Sequence, residues 1–120
     1  MPLIYIAGPY QLGDIALNVR NAVCAAEVVS SLGYTPVIPH LTHFWHMLFP
    51  HEREFWLEID RALLHRCDAL VRIPGPSEGA DGEGKYAMNL NITVYYGVAK
   101  VPCDMCGEFI TRHSIGCYNP

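Results

Sequence analysis

A single carboxylate in an apolar setting is the feature of this sequence that most strongly indicates chemistry. Residues 77–89 have the composition of a short helix capped by a serine, and its apolar face would carry Ala80, Ala87 and Leu90. Glu83 falls on that same face, three residues after the first alanine and four before the second. Burying an unpaired carboxylate is costly, so we predict that Glu83 either has a structural partner or lines a cavity.

Two other side chains are candidates to act with Glu83. Asp60 lies one turn before the end of the preceding predicted helix and is the natural second carboxylate, although it could equally pair with a neighbouring arginine at the surface. An ionised Glu83 needs hydrogen-bond donors that offset its desolvation. We expect Tyr5, or backbone amides around Gly8, to supply them.

Alternating strands and helices must bring these residues together. Helical periodicity is found at about 15–32, 52–66 and 78–89, and short β-rich apolar runs lie at 3–7, 35–39, 69–73 and 92–96. This alternation predicts an α/β fold, a three-layer doubly wound parallel sheet of four to five strands. Ligands bind such sheets beyond the carboxyl ends of the strands, where the sequence places the loops 8–13, 40–51 and 74–79.

The predicted loop at 39–52 is unusually rich in aromatic and histidine side chains. We expect Phe44, Trp45 and the histidines to form a wall against which a planar base can stack. Three of the histidines are spaced three residues apart, as in some zinc sites, but no helix or strand is predicted to orient them. The pattern therefore favours stacking over metal binding.

Composition limits the class of protein. The chain has 120 residues, of which 51% are hydrophobic and 17% charged, and so apolar a small domain is expected to form a homodimer or a higher homo-oligomer. A net charge of −4 offers no field that would attract a nucleic-acid polymer. With no segment long enough to span a bilayer and no basic leader, the expectations are no membrane partner, a cytoplasmic location and a small-molecule substrate.

Three segments in combination resemble the nucleoside 2-deoxyribosyltransferase-like superfamily, which includes the 2'-deoxynucleoside 5'-monophosphate N-glycosidases. They are the opening run Ile-Tyr-Ile-Ala-Gly-Pro-Tyr at 4–10, Asp60 ahead of Cys-Asp-Ala-Leu at 67–70, and the pattern Gly75-x-Ser77-x-Gly79-Ala80-Asp81-x-Glu83-x-x-x-Ala87. The resemblance covers roughly residues 3–98. It implies a flavodoxin-like or Rossmann-like sheet in a homo-oligomer.

The resemblance also implies roles for individual residues. Glu83 would attack C1' of the deoxyribose, and the covalent intermediate would pass to an incoming base or to water without any cofactor. Asp60 matches the second acidic position, which contacts the sugar or helps proton transfer. Tyr10 falls where an aromatic residue stacks on the base, and Gly8 would let the backbone approach the ligand.

Two features disagree about which branch of the superfamily the chain resembles. Ser77 and Gly79, at the start of a predicted helix, match the phosphate-binding position of the monophosphate hydrolases and favour a nucleotide. The hydrolases carry Ser-x-Arg after the first-strand glycine, whereas Tyr10 and Gln11 bring no cation there, which favours a nucleoside. Nucleoside and nucleotide, transfer and hydrolysis therefore stay open, and a non-catalytic nucleotide-binding or sensing module is the alternative of another class.

The C-terminal segment contains several residues of the types that bind zinc. We divide the chain into a domain at 1–102 that resembles the nucleoside deoxyribosyltransferases and a tail at 103–120 that carries Cys103, Cys106, His113 and Cys117. Three thiols and an imidazole could close a tetrahedral structural zinc site. The alternative is three unrelated thiols.

Overall fold

The computed structural model describes residues 1–110. Within these residues, the parallel sheet has four strands. They are β1 (Leu3–Ala7), β2 (Thr35–Val37), β3 (Ala69–Arg72) and β4 (Thr93–Tyr96). Their order across the sheet is β2-β1-β3-β4, and every neighbouring pair is parallel. The predicted α/β fold with a doubly wound sheet is confirmed, and the order places the topological switch point between β1 and β3.

Four α-helices connect the strands: α1 (Ile15–Ser31), α2 (His43–Leu48), α3 (Arg53–Leu64) and α4 (Glu78–Asn89). Two of them begin at the predicted caps, because the Asp14 side chain accepts from the amide of Leu17 and the Ser77 hydroxyl accepts from the amide of Ala80. Short 3-10 turns lie at Pro39–Thr42 and Val98–Lys100. No helix among residues 1–110 is both long and apolar enough to cross a bilayer.

The prediction of an unbroken loop at 39–52 is wrong for residues 43–48. The structure has a helical turn and then α2 in this stretch. Six residues are too few for hydrophobic periodicity to be recognised in the sequence. The helix is held instead by a tertiary contact, since the ring of Trp45 lies 5.0 Å, centroid to centroid, from the ring of Trp56 on α3.

Alternate residues of β1 face the two sides of the sheet. Ile4 and Ile6 pack in the core that includes Val29 of α1, whereas Tyr5 and Ala7 pack in the core that includes residues of α3 and α4. The sheet is therefore a middle layer between helices. Tyr5, the one polar side chain in this alternation, is directed to the α3 and α4 side.

The chain on both sides of the predicted boundary at residue 102 packs against the α1 side of the sheet. Val101 and Cys103 are buried in the same core as Ile4, and the amide of Asp104 donates to the carbonyl of Leu32 over 2.8 Å. The division of the chain at residue 102 stays a prediction.

Candidate active site

Tyr5 and Glu83 meet on the face of the sheet that α3 and α4 cover. The Tyr5 side chain is fully buried, and its hydroxyl donates a hydrogen bond to Oε2 of Glu83. Glu83 is partly buried on α4, between the buried residues Ala80 and Ala87. The predicted helix therefore does place a carboxylate on its inward face, and the hydroxyl that it contacts comes from a strand 78 residues away in the chain.

A cleft of about 180 Å³ lies between α3 and α4. Five residues of each helix line it: Arg53, Leu57, Asp60, Arg61, Leu64, Glu78, Gly79, Gly82, Glu83 and Tyr86. Asp60 and Glu83 thus face one space, as predicted for the two carboxylates. The volume is below the roughly 300–1,000 Å³ of pockets that enclose drug-sized ligands, so the cleft suits a sugar-sized group whose substituents project outside it.

Burial changes the protonation of both carboxyl groups. It raises the pKa of Glu83 to about 7, while the hydrogen bond from Tyr5 lowers it, the charge of Asp60 raises it and the charge of Arg72 lowers it. Burial also raises the pKa of Asp60 to about 6. Among the described residues, Oδ1 of Asp60 is buried without a hydrogen-bond partner. A buried oxygen without a partner is a candidate contact for a bound substrate.

Tyr5 acts only as a hydrogen-bond donor in this arrangement. Burial, and then the negative charges of Glu83 and Asp60, raise the pKa of its hydroxyl far above the ordinary value of 10.0. The phenol therefore stays protonated at any physiological pH. It holds Oε2 of Glu83 in place, which leaves Oε1 as the oxygen that can react.

Glu83→Gln should make the protein more stable at alkaline pH. Folding raises the Glu83 pKa from 4.5 to about 7, so the folded state binds this proton more tightly and the free energy of unfolding falls as the pH rises through that interval. The penalty is roughly 3–4 kcal/mol above about pH 8, since a tenfold difference in proton affinity is worth about 1.4 kcal/mol. Urea unfolding at about pH 8.5 should show the gain, and at about pH 4 the gain should vanish.

The exposed Glu58 of α3 provides the matched control for this measurement. Glu58→Gln should change the free energy of unfolding little at either pH. An equal effect of Glu83→Gln at both pH values would contradict the raised pKa of Glu83.

The predicted stacking residues lie outside this cleft. The Tyr10 hydroxyl is hydrogen-bonded to Nδ1 of His43, and its ring meets the ring of His40 edge-on at 6.0 Å. Phe44 is 65% exposed, and Trp45 packs against aromatic rings of α3. The structure therefore gathers the predicted wall around α2 and does not bring it into contact with the cleft that holds Glu83.

Two of the small residues that are predicted to contact a ligand have structural roles in the fold. A Cβ on Gly8 would lie 2.3 Å from Cγ1 of Ile73, so glycine is required there by the close approach of two chain segments. The Ser77 hydroxyl is occupied as the cap of α4, 3.0 Å from the amide of Ala80. Gly79 lines the cleft, and its contact with a ligand stays a prediction.

Arg72 is a residue of this region that the sequence interpretation did not single out. It ends β3 with its side chain 11% exposed and forms an ion pair of 3.0 Å with Asp81 of α4. Its charge lowers the pKa of Glu83. The sequence does contain a sign of this residue, because a lone arginine stands in the otherwise apolar run 69–73.

The predicted zinc site reaches beyond the described residues, because His113 and Cys117 lie outside them. Within residues 1–110, no three metal-ligating side chains are grouped closely enough to hold an ion. Cys103 and Cys106 are near each other, since the amide of Cys106 lies 3.5 Å from Sγ of Cys103. The zinc site stays a prediction that metal analysis of the purified protein would test.

Comparisons with known proteins agree with this geometry at the level of the fold. A family model described as Domain of unknown function (DUF7768) matches residues 2–97. The curated proteins include no match. A solved structure of a 2-deoxyribosyltransferase from the psychrotolerant bacterium Bacillus psychrosaccharolyticus is similar, with 20% sequence identity and a TM-score of 0.52 over 77% of this chain and 69% of that chain.

Proposed function

The chain belongs to the family Domain of unknown function (DUF7768), and from its cleft we propose that it cleaves or transfers at the N-glycosidic bond of 2'-deoxynucleosides. One observation carries the proposal: Asp60 and Glu83 line a single cleft, and the buried Tyr5 donates to Glu83. Paired carboxylates are the apparatus of glycoside chemistry, and in its retaining form one of them is the nucleophile that forms a covalent intermediate. The fold likeness to a 2-deoxyribosyltransferase supports the same reaction class.

The mechanism follows from the roles of the three side chains. Oε1 of ionised Glu83 attacks C1' of the sugar, the bond from C1' to the base nitrogen breaks, and its electron pair leaves with the base. Asp60 is placed to contact the sugar or to give the departing base a proton. A second base, or water, then attacks C1' and releases Glu83. Throughout the cycle, Tyr5 fixes the orientation of the carboxylate.

A second candidate, hydrolysis of a 2'-deoxynucleoside 5'-monophosphate, is favoured by the two arginines of the cleft. Arg53 and Arg61 line it together with Glu83, and neither takes part in an ion pair within the described part of the chain. A guanidinium can bind a phosphate through two parallel hydrogen bonds. These arginines would supply the cation that the loop after β1 lacks.

A product assay tests these proposals together. The protein is incubated with each deoxynucleoside and each 5'-monophosphate, with and without a second free base, and the products are separated by chromatography. A new nucleoside indicates transfer, whereas free base with deoxyribose or its phosphate indicates hydrolysis. No turnover, together with a raised melting temperature in the presence of a nucleoside, would reject catalysis and favour a binding or sensing module.

We also propose that the protein is a homo-oligomer that associates through α2. Five large apolar side chains are exposed on and directly after this helix, here called the α2 apolar surface: Phe44, Trp45, Met47, Leu48 and Phe49. Leu48, which is 76% exposed, is the best position at which to introduce a charge. Leu48→Glu should shift the mass measured by light scattering toward that of the monomer, whereas Arg20→Glu on α1 should not. A monomeric wild-type protein would contradict the proposal.

A further inference from the structure

The side chain of Arg72 connects three parts of the chain at the carboxyl end of β3. Its Nη1 donates to the carbonyl of Ile73, and its Nη2 donates to the carbonyl of Gly75 over 2.8 Å. Nε and Nη2 both donate to Oδ1 of Asp81, over 3.1 and 3.0 Å. One guanidinium therefore ties the strand, the loop that follows it and the first turns of α4.

These contacts act on the helix that carries Glu83. Asp81 precedes Glu83 by two residues on α4, and the loop that Arg72 binds leads directly into the cap of that helix. Asp81 is 65% exposed, and ion pairs with so exposed a carboxylate contribute little to stability. The stability of the ion pair therefore does not explain why an arginine occupies this position. The explanation must lie in its hydrogen bonds to two loop carbonyls and in the position of its charge.

A positive charge at this place affects the protonation of Glu83, because other groups around Glu83 favour its protonated form. The titratable and charged groups that face Glu83 from the elements packed around it, or share its cleft, are Tyr5 of β1, Arg53, Asp60 and Arg61 of α3, Arg72 of β3, and Glu78 and Tyr86 of α4. Burial and the charge of Asp60 both favour the protonated, unreactive form of Glu83. Arg72 opposes them from the sheet side.

We propose that Arg72 is a positioning residue that holds the helix bearing Glu83 against the sheet and supplies the positive charge that Glu83 needs in order to react as a nucleophile. The catalytic part of this inference rests on the function proposed above. A guanidinium suits the task better than an ammonium group, because its fork can bind two carbonyls and a carboxylate at once.

The decisive measurement is the pKa of the Glu83 carboxyl group, followed by carbon-13 NMR in the wild-type protein and in three variants. Arg72→Gln removes the charge and should raise this pKa by about half a pH unit or more. Arg72→Lys keeps the charge and should leave it nearly unchanged. Asp81→Asn frees the cation from its counter-ion, so the pKa should stay or fall.

Kinetics adds a readout that a purely structural residue would not move. In Arg72→Gln, the acidic limb of the profile of kcat/KM against pH should move to higher pH, which lowers kcat/KM at about pH 6 by roughly threefold or more. In Arg72→Lys the limb should stay in place while kcat/KM falls at every pH, because a single ammonium group cannot make all the contacts.

The inference is overturned if the Glu83 pKa is the same in Arg72→Gln as in the wild type, or if Asp81→Asn raises it. Should Arg72→Gln fail to fold, Arg72→Met removes the same charge and takes its place, while Arg72→Lys and Asp81→Asn must still leave the Glu83 pKa at or below its wild-type value. The NMR titration requires no turnover. A wild-type protein without activity would therefore refute the proposed function, and the NMR result would still stand for or against the role of Arg72.

Discussion

Replacing Glu83 with glutamine should lower kcat/KM for base release by roughly 10³-fold or more, because it removes the nucleophile. Glutamine has nearly the same shape, and its amide oxygen can still accept the hydrogen bond from Tyr5. The fold should therefore remain, and at alkaline pH the stability should increase. A loss of activity in a more stable protein is the combination expected of a reactive group and not of a structural one.

Two further measurements distinguish the loss of a nucleophile from a general loss of activity. In the wild type, protein quenched with acid during turnover should carry the mass of one deoxyribosyl group on the peptide that contains Glu83, and the glutamine variant should carry none. Glu58→Gln, an exposed substitution on α3, should leave base release within about twofold. If Glu83→Gln retains base release within about tenfold of the wild type, the covalent mechanism is wrong.

The features that could be predicted from the sequence are those set by local pattern. The apolar runs predicted β1 and β3, and Ser77 predicted the start of α4. Helical periodicity predicted that Glu83 lies on the inward face of α4. Alternation along β1 similarly directs Tyr5 to one side of the sheet. Once the sheet is parallel and α4 packs on it, these local choices are enough to bring the two side chains within reach.

What could not be predicted depends on contacts between distant segments. Hydrophobic pattern does not reveal a helix as short as α2, and it cannot show that Tyr10 pairs with His43. The sequence suggests a ligand contact for Gly8, whereas the structure gives this glycine a packing reason, the side chain of Ile73. Arg72 appeared as one charge in a strand, and only the tertiary structure shows that it binds α4.

Asp60→Asn should have the second largest effect on activity, and it should change two properties in different ways. If Asp60 gives a proton to the departing base, its loss lowers the maximal rate by about 10²-fold or more. Asp60 also raises the pKa of Glu83 through its negative charge. If Asp60 is ionised while Glu83 titrates, the variant should move the acidic limb of the profile of kcat/KM against pH to lower pH; if Asp60 is protonated, as a donor must be, the limb should stay in place while the plateau falls.

The identity of the leaving base separates the two roles open to Asp60. A proton donor matters most when the base leaves poorly, so the loss in Asp60→Asn should be largest for the poorest leaving bases and should shrink as the departing nitrogen becomes more acidic. A residue that only contacts the sugar would cause the same loss with every base. Glu54→Gln, an exposed change in the first turn of α3, is the control for altered helix charge. An unshifted acidic limb in Asp60→Asn fits the proton donor, because a protonated Asp60 has no charge that could raise the pKa of Glu83, whereas an unshifted limb together with the same loss for every base would contradict both roles.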